Sequence, residues 1–349
     1  MRLFPRYVWQ QMMHNALTEL PLEFYEYGDP QGMEALRREI SAWLFRSRGI
    51  NAETKDIFIT GGATGALHLT ACLLEHGGKI AMEDPCNRGV LDTFLQAGCR
   101  IEPVPADEQG MDISRLSGKD VKMVYLTPSH QFPLGGILPA ARRVEAVRYA
   151  EAKDAYLIED DYDSEFRYTG EPVSPLYVMA PQRVIYVGTF SKVLFPALRI
   201  GYVILPHRLQ ESWRKLRMHT DVQNVPFEQA ALAEFLRARK FDRHIRSMRK
   251  VYGERRKVLL ECLKSNFGSE WCAWGDVAGL HLVVQFPQMR FDDVFSAKCR
   301  KYGIRIASVE WYSLQKGKHI DKLLLGYGHL DVDEIREKIP FLRSVITGK

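Results

Sequence analysis

The sequence predicts an α/β fold, a three-layer αβα arrangement around a mainly parallel seven-stranded sheet, followed by a smaller α+β C-terminal unit. Three observations carry that expectation. Short runs rich in β-branched and aromatic residues alternate with amphipathic helical stretches through the middle of the chain. Each run is bounded by Gly, Pro or Asp, residues that end strands in turns. After Phe267 the alternation gives way to a separate set of strands around one helix.

Element by element, Met33–Arg48 reads as a strong helix opened by GDPQG. The sheet strands are expected at Ile57–Thr60, Lys79–Met82, Arg100–Pro103, Val121–Leu126, Tyr156–Glu159, Val184–Gly188 and Tyr202–Leu205. Helices are expected between them, as at Ala63–Glu75 and Ala140–Lys153. In the latter, Val144, Val147 and Ala150 recur at i, i+3, i+6 and form one apolar stripe. A long helical stretch starts near residue 210, with a break expected near Phe241 and Asp242. Strands Leu280–Gln285, Ile304–Ala307 and Leu323–Tyr327 then bracket a helix at Asp292–Tyr302, and a last helix follows Asp331. The expected division is an N-terminal segment and helix at 1–48, a large unit at 49–260 and a small unit at 261–349.

The chain has 349 residues, 46% hydrophobic and 26% charged, enough for a large core without staples. A net charge of +5 from 48 basic and 43 acidic residues does not indicate a nucleic-acid binder. Cys72, Cys86, Cys99, Cys262, Cys272 and Cys299 include no C-x-x-C pair, so reduced, mostly buried thiols are expected and no metal site. The start, MRLFPRYVWQQMMHN, is too interrupted for a signal peptide, and no apolar run approaches ~20 residues. These features point to a cytoplasmic protein with no membrane contact.

Three segments carry chemistry. In YVGTFSKVLFPALRIGYVIL a strand ends in Gly-Thr, and Lys192 follows just past it, where α/β sheets bind ligands. A lysine there can form a Schiff base with an aldehyde, and Thr189 and Arg199 can grip a phosphate. Pyridoxal 5'-phosphate is such an aldehyde. Taken alone, an exposed loop lysine explains the segment equally well. In YLIEDDYDSEFRY a strand end carries Asp160, suited to a pyridine nitrogen, and Tyr162, suited to the ring's phenolic oxygen. A solvated acidic loop is the alternative. In IFITGGATGALHL a strand, Gly61-Gly62 and a helix start offer the N–H groups of Ala63 and Thr64 and the Thr64 hydroxyl to an anion. Alone, an ordinary glycine turn explains it better.

Together, in this order, these segments resemble the fold-type I pyridoxal phosphate proteins of the aspartate aminotransferase group. The resemblance covers nearly the whole chain, through YGDPQGMEALRREISAWLFRSRGI, TGGATGAL, AMEDPCNRG, TPSHQFPLGG with Arg142-Arg143, HIRSMRKVYGERR and AGLHLVV. The forms TPSHQFP, EDDYDSEFRY and GTFSK-x-LFP-x-LRIGY look like one branch, the MocR/GabR-type bacterial transcription regulators. There an aminotransferase-like domain follows a winged helix–turn–helix domain of the GntR kind. The resemblance implies a Schiff base between cofactor and Lys192, Asp160 at the pyridine nitrogen and Tyr162 at the ring hydroxyl. It implies Ala63, Thr64, Thr189 and Arg199 at the phosphate, and a homodimer in which Tyr27 reaches the neighbouring subunit's phosphate.

The sequence departs from the aminotransferase pattern in four ways. Asn87 stands where an aromatic ring stacks on the cofactor. Phe132 replaces an asparagine that bonds the ring hydroxyl. Leu324 stands where an arginine grips the substrate carboxylate, with Lys322 a conceivable substitute. No winged helix–turn–helix segment is recognised, so DNA contact is expected only through a domain outside this chain.

The resulting expectation is an effector-sensing and dimerisation domain, in which a small amine displaces Lys192 from the cofactor. Asn87, Arg88, His130 and His281 are candidates for contacting that effector, and Trp311-Tyr312 for closing over it. An active aminotransferase is the alternative; a lyase or decarboxylase has no positive feature. The basic face of Arg239, Arg243, Arg246 and Lys250 reads better as a solvated helix surface than as a DNA site.

Overall fold

The computed structural model describes residues 3–74, 77–171 and 173–348. In chain order, helices α1 (Arg6–Glu19) and α2 (Glu34–Arg48) precede strand β1 (Ile57–Thr60). Then follow α3 (Gly62–Ala71), β2 (Lys79–Asp84), α4 (Arg88–Gln96), β3 (Arg100–Asp107), β4 (Gly110–Met111), β5 (Met123–Leu126), α5 (Ala140–Ala152) and β6 (Tyr156–Asp161). Next come α6 (Leu176–Met179), β7 (Val184–Thr189), β8 (Gly201–Ile204), α7 (His207–Met218), α8 (Pro226–Arg237) and α9 (Lys240–Phe267). The C-terminal part holds β9 (Cys272–Trp274), β10 (His281–Gln285), α10 (Asp293–Lys301), β11 (Ala307–Ser308), α11 (Val309–Tyr312), β12 (Lys322–Gly326) and α12 (Val332–Thr347).

The first sheet has the order β1-β8-β7-β6-β5-β2-β3-β4. Strands β2, β3, β5, β6 and β7 pair in parallel, while β8 runs antiparallel to both β1 and β7. The seven expected strands are therefore present, and the two-residue β4 adds an eighth by hairpin pairing with β3. Helical layers cover both faces. One face packs Phe58, Ile80, Met82, Tyr125, Ile158 and Val187 beneath α3, α4 and α7. The other packs Ile59, Val124, Leu157, Tyr186 and Tyr202 against α2, α5, α8 and α9. A four-stranded antiparallel sheet, β11-β12-β10-β9, forms the C-terminal part with α10 and α12.

Several boundaries differ from expectation for physical reasons. The break in the long helical stretch falls at Ala238–Arg239, where Arg239 is left-handed (φ 56°). Phe241 is inside α9 because its buried ring packs on Trp43 and Phe190, at 5.2 and 5.4 Å between centroids. The strand expected at Ile304–Ala307 shrinks to Ala307–Ser308, the only residues there that find partners on β12. The first sheet helix ends at Ala71, and the expected end at Glu75 lies outside the described residues. Helix α1 and strand β9 were not anticipated. The cysteines are free; Cys86, Cys99 and Cys299 are buried, Cys272 is exposed.

One buried ion pair orients β6. Arg143 on α5 donates from Nε to Leu138 O (2.8 Å), from Nη1 to Ser174 O (3.0 Å) and from Nη2 to Pro128 O (2.7 Å). Its Nη1 lies 3.7 Å from Glu159 Oε1. Glu159 also accepts from the backbone N–H groups of Leu176 (3.0 Å) and Tyr177 (2.9 Å). Burial outweighs these contacts and pushes Glu159 up to about 7. Removing Arg143 strands that acid and three carbonyls, so Arg143→Met should lose roughly 3–5 kcal/mol in urea unfolding. A loss below ~1 kcal/mol would show the pair contributes nothing to the fold.

Candidate functional site

The parallel strands end together, and the pocket opens beyond their C-termini. Side chains alternate along β6, so Ile158 and Asp160 face α3 and α4 while Glu159 and Asp161 face the opposite layer. Tyr125 on β5 pairs in register with Ile158 and so shares the face of Asp160. Its hydroxyl donates to Asp160 Oδ2 at 2.7 Å. The turn after β7 brings Thr189, Ser191 and Lys192 to the same place, and Arg199 returns at the start of β8. The result is a cavity of about 220 Å³ that gathers Ala63, Thr64, Asn87, Asp160, Tyr162, Thr189, Lys192, Arg199 and His281.

The floor of this cavity is acidic and buried. Asp160 is buried, and its Oδ1 has no hydrogen-bond partner. Burial, reinforced by Asp161 and Asp163, pushes its pKa up to about 7 against the pull of Tyr125 and Lys192. A cationic ring nitrogen placed at Oδ1 would supply the missing partner and return the acid to its charged form. Ser191 Oγ is likewise buried without a partner.

The opposite end is built for an anion. The first N–H groups of α3 have no intrahelical acceptors. Gly62 at φ 83° starts that helix, and a Cβ there would stand 2.9 Å from Arg199 Nη2. Arg199, itself left-handed at φ 51°, donates to Gly61 O at 2.9 Å and leaves its other N–H groups to the cavity. Thr189 Oγ1 accepts from Ser191 N at 3.2 Å and keeps its own proton to donate.

Other expected residues are placed differently. Tyr27 is 89% exposed and does not line the cavity of its own chain. The Tyr162 hydroxyl donates to His130 O (2.9 Å), so its single proton is engaged away from the cavity. Asn87 lines the cavity, but its Oδ1 caps α4 through Gly89 N at 2.9 Å and Val90 N at 3.4 Å. That capping role explains an asparagine where a stacking ring was expected to be missed. Arg88 lies over the Trp311 ring at 5.7 Å, outside the cavity lining. His130 is buried behind Tyr162 and bonds Asp163 at 3.0 Å. Among the described residues, His130, Asp163 and His281 bring ligand-type atoms within 4.8 Å, an arrangement not anticipated where no metal site was expected. His281 Nε2 already contacts Pro133 O at 3.1 Å. Tyr125 and Ser191 were missed as site residues; strand register, which pairs Tyr125 beside Asp160, was the only signal for the first.

A wider cleft of about 770 Å³ adjoins the cavity, sharing Lys192, Ser191, Phe132, Leu280 and His281. Leu324 lines it, whereas Lys322 is buried, bonded to Asp321 (3.0 Å) and set over the Trp274 ring (4.8 Å). Lys322 therefore does not stand in for an arginine at Leu324. Phe132 packs edge-on against His281 and Tyr312, at 5.3 and 5.1 Å between centroids. Trp311 and Tyr312 lie on α11 rather than a loop, tied down by Cys86 N to Tyr312 O (3.2 Å) and Leu314 N to Asp84 Oδ1 (2.7 Å).

The charge of Asp160 gives a prediction with a definite sign. Its pKa rises from 3.8 unfolded to about 7 folded, so stability falls as pH climbs through that window. Asp160→Asn removes the burden. Without cofactor, the variant should exceed the parent by on the order of 1–3 kcal/mol at pH 8 and match it near pH 4. Urea unfolding at both pH values checks this; equal stability at pH 8 would contradict it.

The chain matches the aminotransferase class I and II family over residues 8–315. It is 33% identical to the HTH-type transcriptional regulator YdeL of Bacillus subtilis, covering 98% of this chain and 74% of that protein. It is 30% identical to the probable rhizopine catabolism regulatory protein MocR of Rhizobium meliloti, covering 98% and 70%. Among solved structures, a kynurenine aminotransferase of Pyrococcus horikoshii superposes with a TM-score of 0.91 at 26% identity, covering 99% of this chain and 88% of that one. The chain belongs to the aminotransferase class I and II family, in the branch represented by the MocR-type regulators.

Proposed function

We propose that this chain is the cofactor-bearing, effector-sensing and dimerisation domain of a bacterial transcription regulator acting in the cytoplasm. The observation that carries the reading is an intact cofactor cradle beside a cleft whose carboxylate grip is missing, with Leu324 on the wall. Turnover of amino acids needs both parts; sensing an amine needs only the first.

Pyridoxal 5'-phosphate fits the cradle. Asp160 Oδ1 is a buried acceptor without a donor, and the α3 N-terminus with Arg199 is an anion seat. The bound cofactor would supply an electrophilic aldehyde and an electron-withdrawing ring. Lys192 would anchor it covalently, Asp160 hold a proton on its ring nitrogen, and Ala63, Thr64, Thr189 and Arg199 hold its phosphate. Tyr162 would reach the ring oxygen by releasing His130 O. Tyr27, exposed on its own chain, would complete the phosphate seat of a second subunit. An incoming small amine would free Lys192, with Asn87 and His281 on the wall of the same cavity. Domain closure biased by that exchange would be relayed to DNA-binding domains elsewhere in the full regulator.

Two experiments test the proposal. Borohydride reduction of the cofactor-loaded protein, followed by peptide mapping, should leave the cofactor mass on Lys192; Lys192→Ala should lose both the adduct and the visible absorbance. A mass adduct elsewhere would refute the anchor. Addition of an amine panel with a keto-acid acceptor should give stable spectral shifts without repeated conversion. Sustained turnover with any amino acid would instead establish the aminotransferase alternative. Leu324→Arg should strengthen binding of α-amino acids by roughly tenfold, as a new two-pronged contact would.

A further inference from the structure

A second cavity of about 400 Å³ lies on the face of the sheet opposite the cofactor cradle, between the end of α2, the segment after β6 and the first half of α9. Its size suits a small metabolite. Its wall is cationic: Arg48, Arg143, Arg167, Arg246 and Arg249 line it, against Glu165 and Asp242. The charges differ in how far they are satisfied. Arg143 is bonded through all its nitrogens. Arg249 donates twice to Glu165 O, at 3.0 and 2.8 Å. Asp242 is taken by Arg239 at 2.7 Å.

Four groups are left wholly or partly unsatisfied. Arg48 reaches Asp161 Oδ2 and Ser129 Oγ through Nη2, both at 2.9 Å, but its Nε is buried without a partner. Ser164 Oγ is also buried without a partner. Arg246 is exposed at the rim and makes no hydrogen bond or ion pair among the described residues. Arg167 uses only Nε, toward Gly170 O at 3.2 Å. A buried donor with no acceptor costs roughly 1–3 kcal/mol, a cost that a ligand oxygen would relieve. Burial, then Asp161, pushes Glu165 up to about 8, so near neutrality this acid does not cancel the arginines.

We infer that this cavity is a binding site for a small ligand bearing an oxyanion, a carboxylate or a phosphate, held by Arg48 Nε, Ser164 Oγ, Arg167 and Arg246. It is separate from the cofactor cradle yet backs directly onto it. Asp161, bound by Arg48, follows Asp160 on β6. Ser129, bound by Arg48, precedes His130, which accepts the Tyr162 proton. Ligand at one site is thereby placed to bias the other, and the bias must be mutual.

The test uses the full chain carrying Arg199→Gln, which removes the guanidinium from the cofactor cradle and so weakens phosphate binding there. Calorimetric titration with inorganic phosphate, and separately with succinate, at constant ionic strength should reveal one saturable site for at least one of them. The preferred anion identifies the ligand as a phosphate or a carboxylate. Adding Arg246→Gln, a surface change that leaves the fold intact, should weaken that binding five- to tenfold, and adding Arg167→Gln should do the same. Arg48→Gln should abolish it where the protein folds. No saturable heat with either anion, or binding unchanged by Arg246→Gln, would overturn the assignment. Either result is independent of whether Lys192 carries a cofactor.

Discussion

Three consecutive acids, Glu159, Asp160 and Asp161, are buried at the end of the central strand β6, and the structure is organised around neutralising them. A strand turns successive side chains to opposite faces, so each acid meets a different environment. Glu159 is met by Arg143 and two backbone N–H groups. Asp161 is met by Arg48 and the Tyr186 hydroxyl. Asp160 receives only the Tyr125 hydroxyl and keeps one oxygen unsatisfied. Asp161 also keeps its Oδ1 without a partner, but it and Glu159 are each paired with an arginine, whereas Asp160 is not.

That asymmetry accounts for the shape of the site. The unsatisfied acid lies at the floor of the cavity, the anion seat at its rim, and Lys192 between strand end and cleft. The distance between acid and anion seat is set by the sheet, since Asp160 ends β6 while Gly62 and Arg199 flank β1 and β8. The spacing of these two ends of the cavity is therefore set by strand order rather than by any single loop. The cleft beyond is less committed. Leu324, Phe132 and His281 give it an apolar and aromatic wall, as suits recognition of a small amine by shape.

The segment after β5 makes hydrogen bonds toward both faces of the sheet. His130 accepts from Tyr162 on the cradle side, while its neighbour Ser129 accepts from Arg48 on the other. Packed side chains with few alternative arrangements carry small displacements well. A cavity lies on each face of the sheet beside this segment, which is where the two proposed ligands would act.

Local chemistry sufficed for the strands and most helices, while the site residues were singled out by three segments read together with a family resemblance. The short runs rich in β-branched and aromatic residues marked all seven main strands, and Lys192, Asp160, Thr64 and Arg199 converge because the strand ends and the turns beyond them meet at one edge. What failed depended on contacts between distant segments. The helix break moved to Arg239 because Phe241 had to pack on Trp43. His130 and Arg88 sat beside site residues in sequence yet point into the core and onto Trp311. Tyr125 and the arginine-lined cavity were invisible, since strand register and the meeting of α2 with α9 exist only once the chain has folded. Periodicity and turn chemistry act over a few residues; which buried donor faces which buried acid is decided by packing across hundreds.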